Sequence, residues 1–247
     1  MQVTFTRPFL LLSTRPEDQA AAEELASFTA AMQVEEGAVE QRRVESGPLG
    51  DVDLDAYSGV LLGGSPFNNT DAVKSQTQLR VEREIGTLVR EIIDRDFPLM
   101  GACYGIGTVG TLIGATLGDD YAEPASLVQV NVNDAGAQDP LLDGIPSSFD
   151  TIVGHKEAVS SVPSSATVLV SGTACPIQMF KVKRNVYATQ FHPELTAEGL
   201  EFRLRLYAHL GYVESVDAME RNIAEGYTGD FKANNQILAN FAQMYAR

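Results

Sequence analysis

A chain of 247 residues, 44% of them hydrophobic, is long enough to bury the core of one large α/β domain. Its 33 acidic and 18 basic side chains give a net charge of -15, a surface that repels phosphate backbones and anionic lipid and so argues against nucleic-acid and membrane partners. No run approaches the ~20 apolar residues of a membrane span, and PFLLLS near the start lacks a basic flank and a cleavage site, so a soluble cytoplasmic protein is expected.

In chain order, PFLLLS, the Ala/Glu-rich stretch from Glu17 to Val34, AVEQRRVE, YSGVLLGG, the stretch from Val73 to Asp94 and FPLMGAC alternate branched apolar runs with amphipathic ones. That alternation predicts an α/β fold of βαβ units, with an open, mostly parallel central sheet and helices on both faces. Asp96, Phe97 and Pro98 punctuate the helix before Leu99. Farther on, SLVQVNV, FDTIVGH, TVLVSG, IQMFKVK and NVYATQF are short and separated by turn residues, which predicts additional strands, some antiparallel, at one side of the sheet. From Thr196 the pattern is helical, first in LEFRLRLYAHLG and then from Ser215 to Arg247. With no repeat or long linker, residues 1–212 are expected to form one domain and residues 213–247 a C-terminal helical extension packed on it.

The stretch LMGACYGIGTVG holds two overlapping signatures. GIGTVG spells the G-x-G-x-x-G of a dinucleotide site, but the strand ends near Met100, so Gly105 comes several residues too late. The acidic candidates for such a site, Asp119, Asp120 and Glu123, sit in a turn-like GDDYAEP segment. GACYG, in contrast, spells a nucleophile elbow with cysteine in place of serine. Cys103 would occupy a strained turn between a strand and a helix starting near Tyr104, where Gly101 and Gly105 permit close backbone approach and the helix N-terminus favours a thiolate.

A base and its orienter are found in ATQFHPEL. A strand ends at His192, Pro193 keeps the histidine extended, and Glu194 follows at a spacing that can place both side chains on one face. Such a carboxylate can hold one imidazole nitrogen while the other deprotonates a thiol. Of the other candidates, Cys175 reads as an inert thiol, Lys156 as a loop charge and His209 as a helix-end residue. With only two cysteines, neither a disulfide framework nor a CxxC metal knuckle is expected.

GACYG followed by QFHPE closely resembles the class I glutamine amidotransferases, in particular the amidotransferase portion of GMP synthases and its stand-alone relatives. LLGGSPFN is similar to the glycine-rich loop of that family, DPLLDGIP to its DPLF-x-G-x-P segment, and FDTIVGHKEAVSSVP to its SH-x-D-x-V-x-x-LP segment. The resemblance implies a flavodoxin-like fold with Cys103 as nucleophile, His192 as general base and acid, and Glu194 as its orienting partner. It implies an oxyanion hole from the backbone of Tyr104 with Gly64 or Ser65, and a substrate site involving Gly63, Gly107, His155 and Glu157, with Glu157 meeting a substrate amine. The substrate would be glutamine or another γ-glutamyl compound, cleaved through a thioester to release ammonia or an amine. Neither step requires a metal or other cofactor.

Two departures from the family pattern bear on substrate and partner. The elbow commonly continues G-x-C-x-G-x-Q, but Gly107 stands where that glutamine would be, which predicts an opened pocket and an altered substrate choice. A γ-glutamyl peptide hydrolase or a non-catalytic binding relative are the competing readings. No synthetase domain is read after the helical segment, so a separate ammonia-accepting synthetase is the implied protein partner, and a homodimer is also admitted.

Overall fold

The computed structural model describes residues 6–247. Among the described residues seventeen strands and α-helices follow one another: β1 (Phe9–Ser13), α1 (Asp18–Ala31), β2 (Val39–Arg43), β3 (Gly59–Leu62), α2 (Gln76–Arg95), β4 (Leu99–Ala102), α3 (Tyr104–Ile113), β5 (Thr116–Gly118), β6 (Glu123–Val132), β7 (Ser148–His155), β8 (Ala158–Ser161), β9 (Ala166–Gly172), β10 (Met179–Val182), β11 (Val186–Thr189), α4 (Ala197–Leu206), α5 (Val216–Gly226) and α6 (Lys232–Tyr245). A short 3-10 turn, Ala208–Leu210, follows α4.

Nine strands form one sheet in the order β2-β1-β3-β4-β11-β10-β9-β6-β7, and β5 pairs with β8 apart from it. The first five strands of that order run parallel, and β10, β9, β6 and β7 extend the sheet antiparallel. The late strands thus do gather on one side, as their turn-rich spacing predicts, except β11. That strand inserts beside β4 with Thr189 opposite Ala102, joining the parallel half.

Alternation along β1 sorts the core. Leu10 and Leu12 face the α2 and α3 side with Val81, Ile85, Val89 and Ile92, whereas Phe9 and Leu11 face α1 and α6 with Phe28, Ile237 and Phe241. Burying each such side chain contributes about 1.5–3 kcal/mol before chain entropy is set against it. The helix α2 starts where Ser75 caps the N–H of Gln78 and stops at Asp96, which is in the left-handed region at φ 50° ahead of Pro98.

A further, smaller apolar group lies on the side of the sheet where Cys103 and His192 follow β4 and β11. There Leu195, Leu200 and Leu204 pack with Met219 and Ile223 of α5 and with Ala125 and Ile152. It places α4 next to the ends of β4 and β11, the position at which open α/β sheets bind ligands.

Candidate active site

Cys103 lies between β4 and α3 at φ 52°, ψ -91°, a conformation strained for any residue with a Cβ. Glycine on either side is required by contact: a Cβ on Gly101 would stand 3.1 Å from the Gly105 backbone, and one on Gly105 would stand 3.1 Å from the Leu62 carbonyl. The Cys103 N–H donates to Thr189 O at 2.8 Å, which ties the elbow to the end of β11. His192 lies three residues beyond that end, so two neighbouring parallel strands deliver the thiol and the imidazole to one place.

His192 and Glu194 are both buried, with Nδ1 2.8 Å from Glu194 Oε1, and His192 lines one cavity with Cys103, whose thiol donates to Gly154 O at 3.9 Å. Burial opposes the imidazolium, but the charge of Glu194 and the bonds to Cys103 and Glu194 outweigh it and push His192 up to about 9. For Glu194, burial acts against ionisation, yet His192, and then Arg203, hold its carboxyl below the usual range.

Long-range side-chain bonds clamp the loop that carries this pair. The His192 N–H donates to Ile152 O of β7 at 2.9 Å. From α6, Asn234 Nδ2 donates to His192 O at 3.0 Å while its Oδ1 accepts from Thr151 at 2.7 Å, and Asn235 Nδ2 donates to Pro193 O at 2.8 Å. From α4, Arg203 places Nη2 3.7 Å from Glu194 Oε1 and donates from Nε to Glu23 at 3.1 Å.

The loop after β3 supplies the opposite wall. Ser65 lines the cavity in front of Cys103, with its Oγ accepting from the Phe67 N–H. A Cβ on Gly64 would stand 2.6 Å from Arg15 Nη2 and 2.9 Å from His192 Cε1, so only glycine fits between them. Arg15 itself is 5% exposed, donates from Nε to Glu24 at 3.2 Å, and lies 5.6 Å from the centre of the Tyr207 ring. Leu195, Leu200, Leu204, Tyr207 and Tyr212 contribute an apolar roof over a partly open cavity of about 50 Å3. Lys156 holds this roof from outside, donating to Leu210 O at 2.7 Å with its ammonium 5.0 Å from the Tyr212 ring centre.

Four residues expected at the substrate site stand elsewhere. Gly63 donates its N–H to Leu12 O, and a Cβ there would lie 2.5 Å from Glu24, so it accommodates that carboxylate and does not line the cavity. Gly107 does not open a pocket, because Asn69 Nδ2 and Glu157 Oε1 fill the space within 2.5 and 2.8 Å of where its Cβ would be. Both Glu157 oxygens are engaged by the backbone and side chains of Asn69 and Thr70, at 2.8 to 2.9 Å, which leaves no acceptor turned to a substrate amine. His155 is buried between the Glu157 carbonyl at Nδ1 and Glu123 at Nε2. Arg15, Arg203, Asn234 and Asn235 are the residues of the site that the local motifs do not reveal.

A half-buried cysteine on a strained elbow and a His–carboxylate pair, set past the ends of β4 and β11 in an open α/β sheet, are an arrangement able to support cysteine-nucleophile chemistry. The glutamine amidotransferase class-I family model matches residues 20–201, and the chain belongs to that family. The chain is 27% identical over 150 residues to the glutamine-hydrolysing GMP synthase of Neisseria meningitidis, covering 60% of this chain and 26% of that protein. It therefore spans about a quarter of the length of the curated relatives it matches. Among solved structures, a glutamine amidotransferase from Thermotoga maritima superposes with a TM-score of 0.72 at 15% identity, covering 98% of this chain and 99% of its own. One from Methylobacillus flagellatus gives 0.73 at 15% identity, covering 99% and 97%, so both share the fold. Among the described residues no helix is long and apolar enough to cross a membrane.

Proposed function

We propose that the chain hydrolyses the terminal amide of glutamine or a related γ-glutamyl compound, with Cys103 as nucleophile, His192 as base and acid, and Glu194 as the group that orients the imidazole. The observation that carries this reading is the meeting of Cys103 and His192 past the ends of β4 and β11, with His192 Nδ1 already bound to Glu194. The Cys103 sulfur attacks the amide carbon, and the C–N bond breaks as His192 protonates the departing nitrogen. Water, deprotonated by His192, then cleaves the thioester and frees the carboxylate.

The tetrahedral oxyanion requires fixed N–H donors. Tyr104 opens α3, where a backbone N–H has no intrahelical acceptor, and it is the first donor. The second comes from Gly64 or Ser65, since the Gly63 N–H is bound to Leu12. Ammonia so released serves a separate synthetase, a reading supported by the similarity to the amidotransferase part of GMP synthases. The test is ammonia and glutamate release from glutamine and a panel of γ-glutamyl amides. Release that disappears in Cys103→Ala is expected, and release that persists in that variant contradicts the proposal.

A further inference from the structure

The cavity in front of Cys103 has a charge pattern opposite to that of the whole chain. The chain carries a net charge of -15, yet the ionisable nitrogen groups lining the cavity are Arg15, Arg203 and His192, and no Asp or Glu lines it among the described residues. Arg203 is committed, bound to Glu23 and standing beside Glu194. Arg15 differs, because its Nε is bound to Glu24 while Nη2 lies at Gly64, on the side of the His192 ring.

A guanidinium has five donors in a fixed fork, suited to receive both oxygens of a carboxylate. Glu24, itself held by the Ser13 hydroxyl at 2.6 Å, fixes one edge of that fork and leaves the other for a ligand. A single methyl on Gly64 would touch both Arg15 Nη2 and His192 Cε1, so Arg15 stands next to the imidazole on the cavity that Cys103 also lines, within the scale of a short carbon chain. An α-ammonium finds no carboxylate partner among the described residues that line the cavity. Glu24, Glu23 and Glu194 are paired with Arg15, Arg203 and His192, and Glu157 is already engaged by Asn69 and Thr70.

We infer that Arg15 anchors a substrate carboxylate, and that the site takes monoamides of short dicarboxylic acids whose α-nitrogen is absent or acylated in preference to free glutamine. The inference rests on the reading of Cys103 as nucleophile and narrows its substrate. The reaction is unchanged: the amide C–N bond breaks, water supplies the new C–O bond, and a dicarboxylate and ammonia leave. The apolar roof of Leu200, Leu204 and Tyr212 suits an acyl group on the α-nitrogen where one is present.

The experiment compares ammonia release by the full chain from glutaric acid monoamide, N-acetylglutamine, glutamine and butyramide. Glutaric monoamide and N-acetylglutamine are expected to exceed glutamine in kcat/KM by at least about tenfold, the scale at which an unmatched charged group is rejected. Arg15→Gln is expected to raise KM for glutaric monoamide about tenfold or more and to cost that substrate at least about tenfold more in kcat/KM than it costs butyramide, with Arg15→Lys intermediate. A preference for glutamine, or an equal loss on glutaric monoamide and butyramide in Arg15→Gln, overturns the inference. The comparison of substrates on the unaltered chain decides the matter even if Arg15→Gln fails to fold. Glutarate binding by calorimetry separates the two readings: if no amide is hydrolysed but glutarate binds, and binds at least about tenfold more weakly to Arg15→Lys, the anchor stands and the catalytic proposal falls.

Discussion

Cys103, His192 and Glu194 form one cluster of a thiol, an imidazole and a carboxylate, and Cys175, His155 and Glu123 form another, whose side-chain ligand atoms all lie within 4.8 Å of one another. Each contains a buried His–Glu pair, at 2.8 Å in the first and 3.0 Å in the second. The imidazoles differ in what is left over. His192 engages Glu194 through Nδ1 and turns to Cys103, whereas both nitrogens of His155 are taken, by the Glu157 carbonyl and by Glu123. The thiols differ in access. Cys103 is half-buried at a cavity on a strained elbow, while Cys175 is fully buried, its thiol pushed up to about 11 by burial and bonded to Ile177 O. The same three residue types make a reactive group only where an imidazole nitrogen and a path for substrate remain.

The sharpest way to break this contrast is to exchange the thiols. Cys103→Ala is expected to lower amide hydrolysis by about a thousandfold or more, while Cys175→Ser stays within about twofold in kcat/KM, measured as ammonia release. Next come the histidines. His192→Asn is expected to cost about 10²–10⁴-fold in kcat. His155→Gln is expected to leave kcat within a few-fold but to cost about 1–3 kcal/mol of stability in denaturant unfolding, because it disturbs a buried bond to Glu123. An activity loss in His155→Gln as large as in His192→Asn would erase the distinction between the two clusters.

A smaller effect is expected from the clamp on the loop that carries His192 and Glu194. Asn234→Ala removes the bonds to His192 O and Thr151 and is expected to cost about 1–3 kcal/mol of stability. It should lower kcat more than it raises KM, since it loosens the base and leaves the cavity wall in place. The pH dependence gives the mildest test. A His192 raised from 6.5 to about 9 contributes stability that is fully present below pH 6.5 and is lost as pH rises through about 9. The unfolding midpoint should fall on that alkaline side, less so in His192→Asn, and the alkaline limb of kcat should lie near 9, where the proton donor to the leaving nitrogen is lost.

These contrasts also show which parts of the molecule are legible in the sequence. The elbow is legible because the glycines that make Cys103 strained are its own neighbours, Gly101 and Gly105. The strands PFLLLS and YSGVLLGG are legible because full burial on both faces writes a continuous apolar run. The insertion of β11 beside β4 is not, since nothing in NVYATQF specifies its neighbour, and the short β5 and β8 leave too little pattern to see.

The supporting polar residues did leave a trace, though a non-local one. Arg203 falls on the stripe Ala197, Leu200, Leu204 of α4, Asn234 on the stripe Ile237, Leu238, Phe241 of α6, and Glu24 on the stripe Ala21, Phe28, Ala31 of α1. A polar residue at a core position of an amphipathic helix has to be hydrogen-bonded or paired inside. The partners of Asn234, however, lie 39 to 83 residues away, and Glu23, which accepts from Arg203, lies 180 away, beyond any local motif. Gly107 misleads for the same reason: the loss of a side chain is visible, but the arrival of Asn69 in its place is not.

The most direct measurement of the central claim is the site of modification by a diazoketone analogue of glutamine or of glutaric monoamide, read by peptide mass spectrometry. The account predicts one adduct on Cys103, abolished in Cys103→Ala, strongly slowed in His192→Asn, and absent from Cys175. Modification at Cys175, or a folded chain left unlabelled by both reagents, would contradict it.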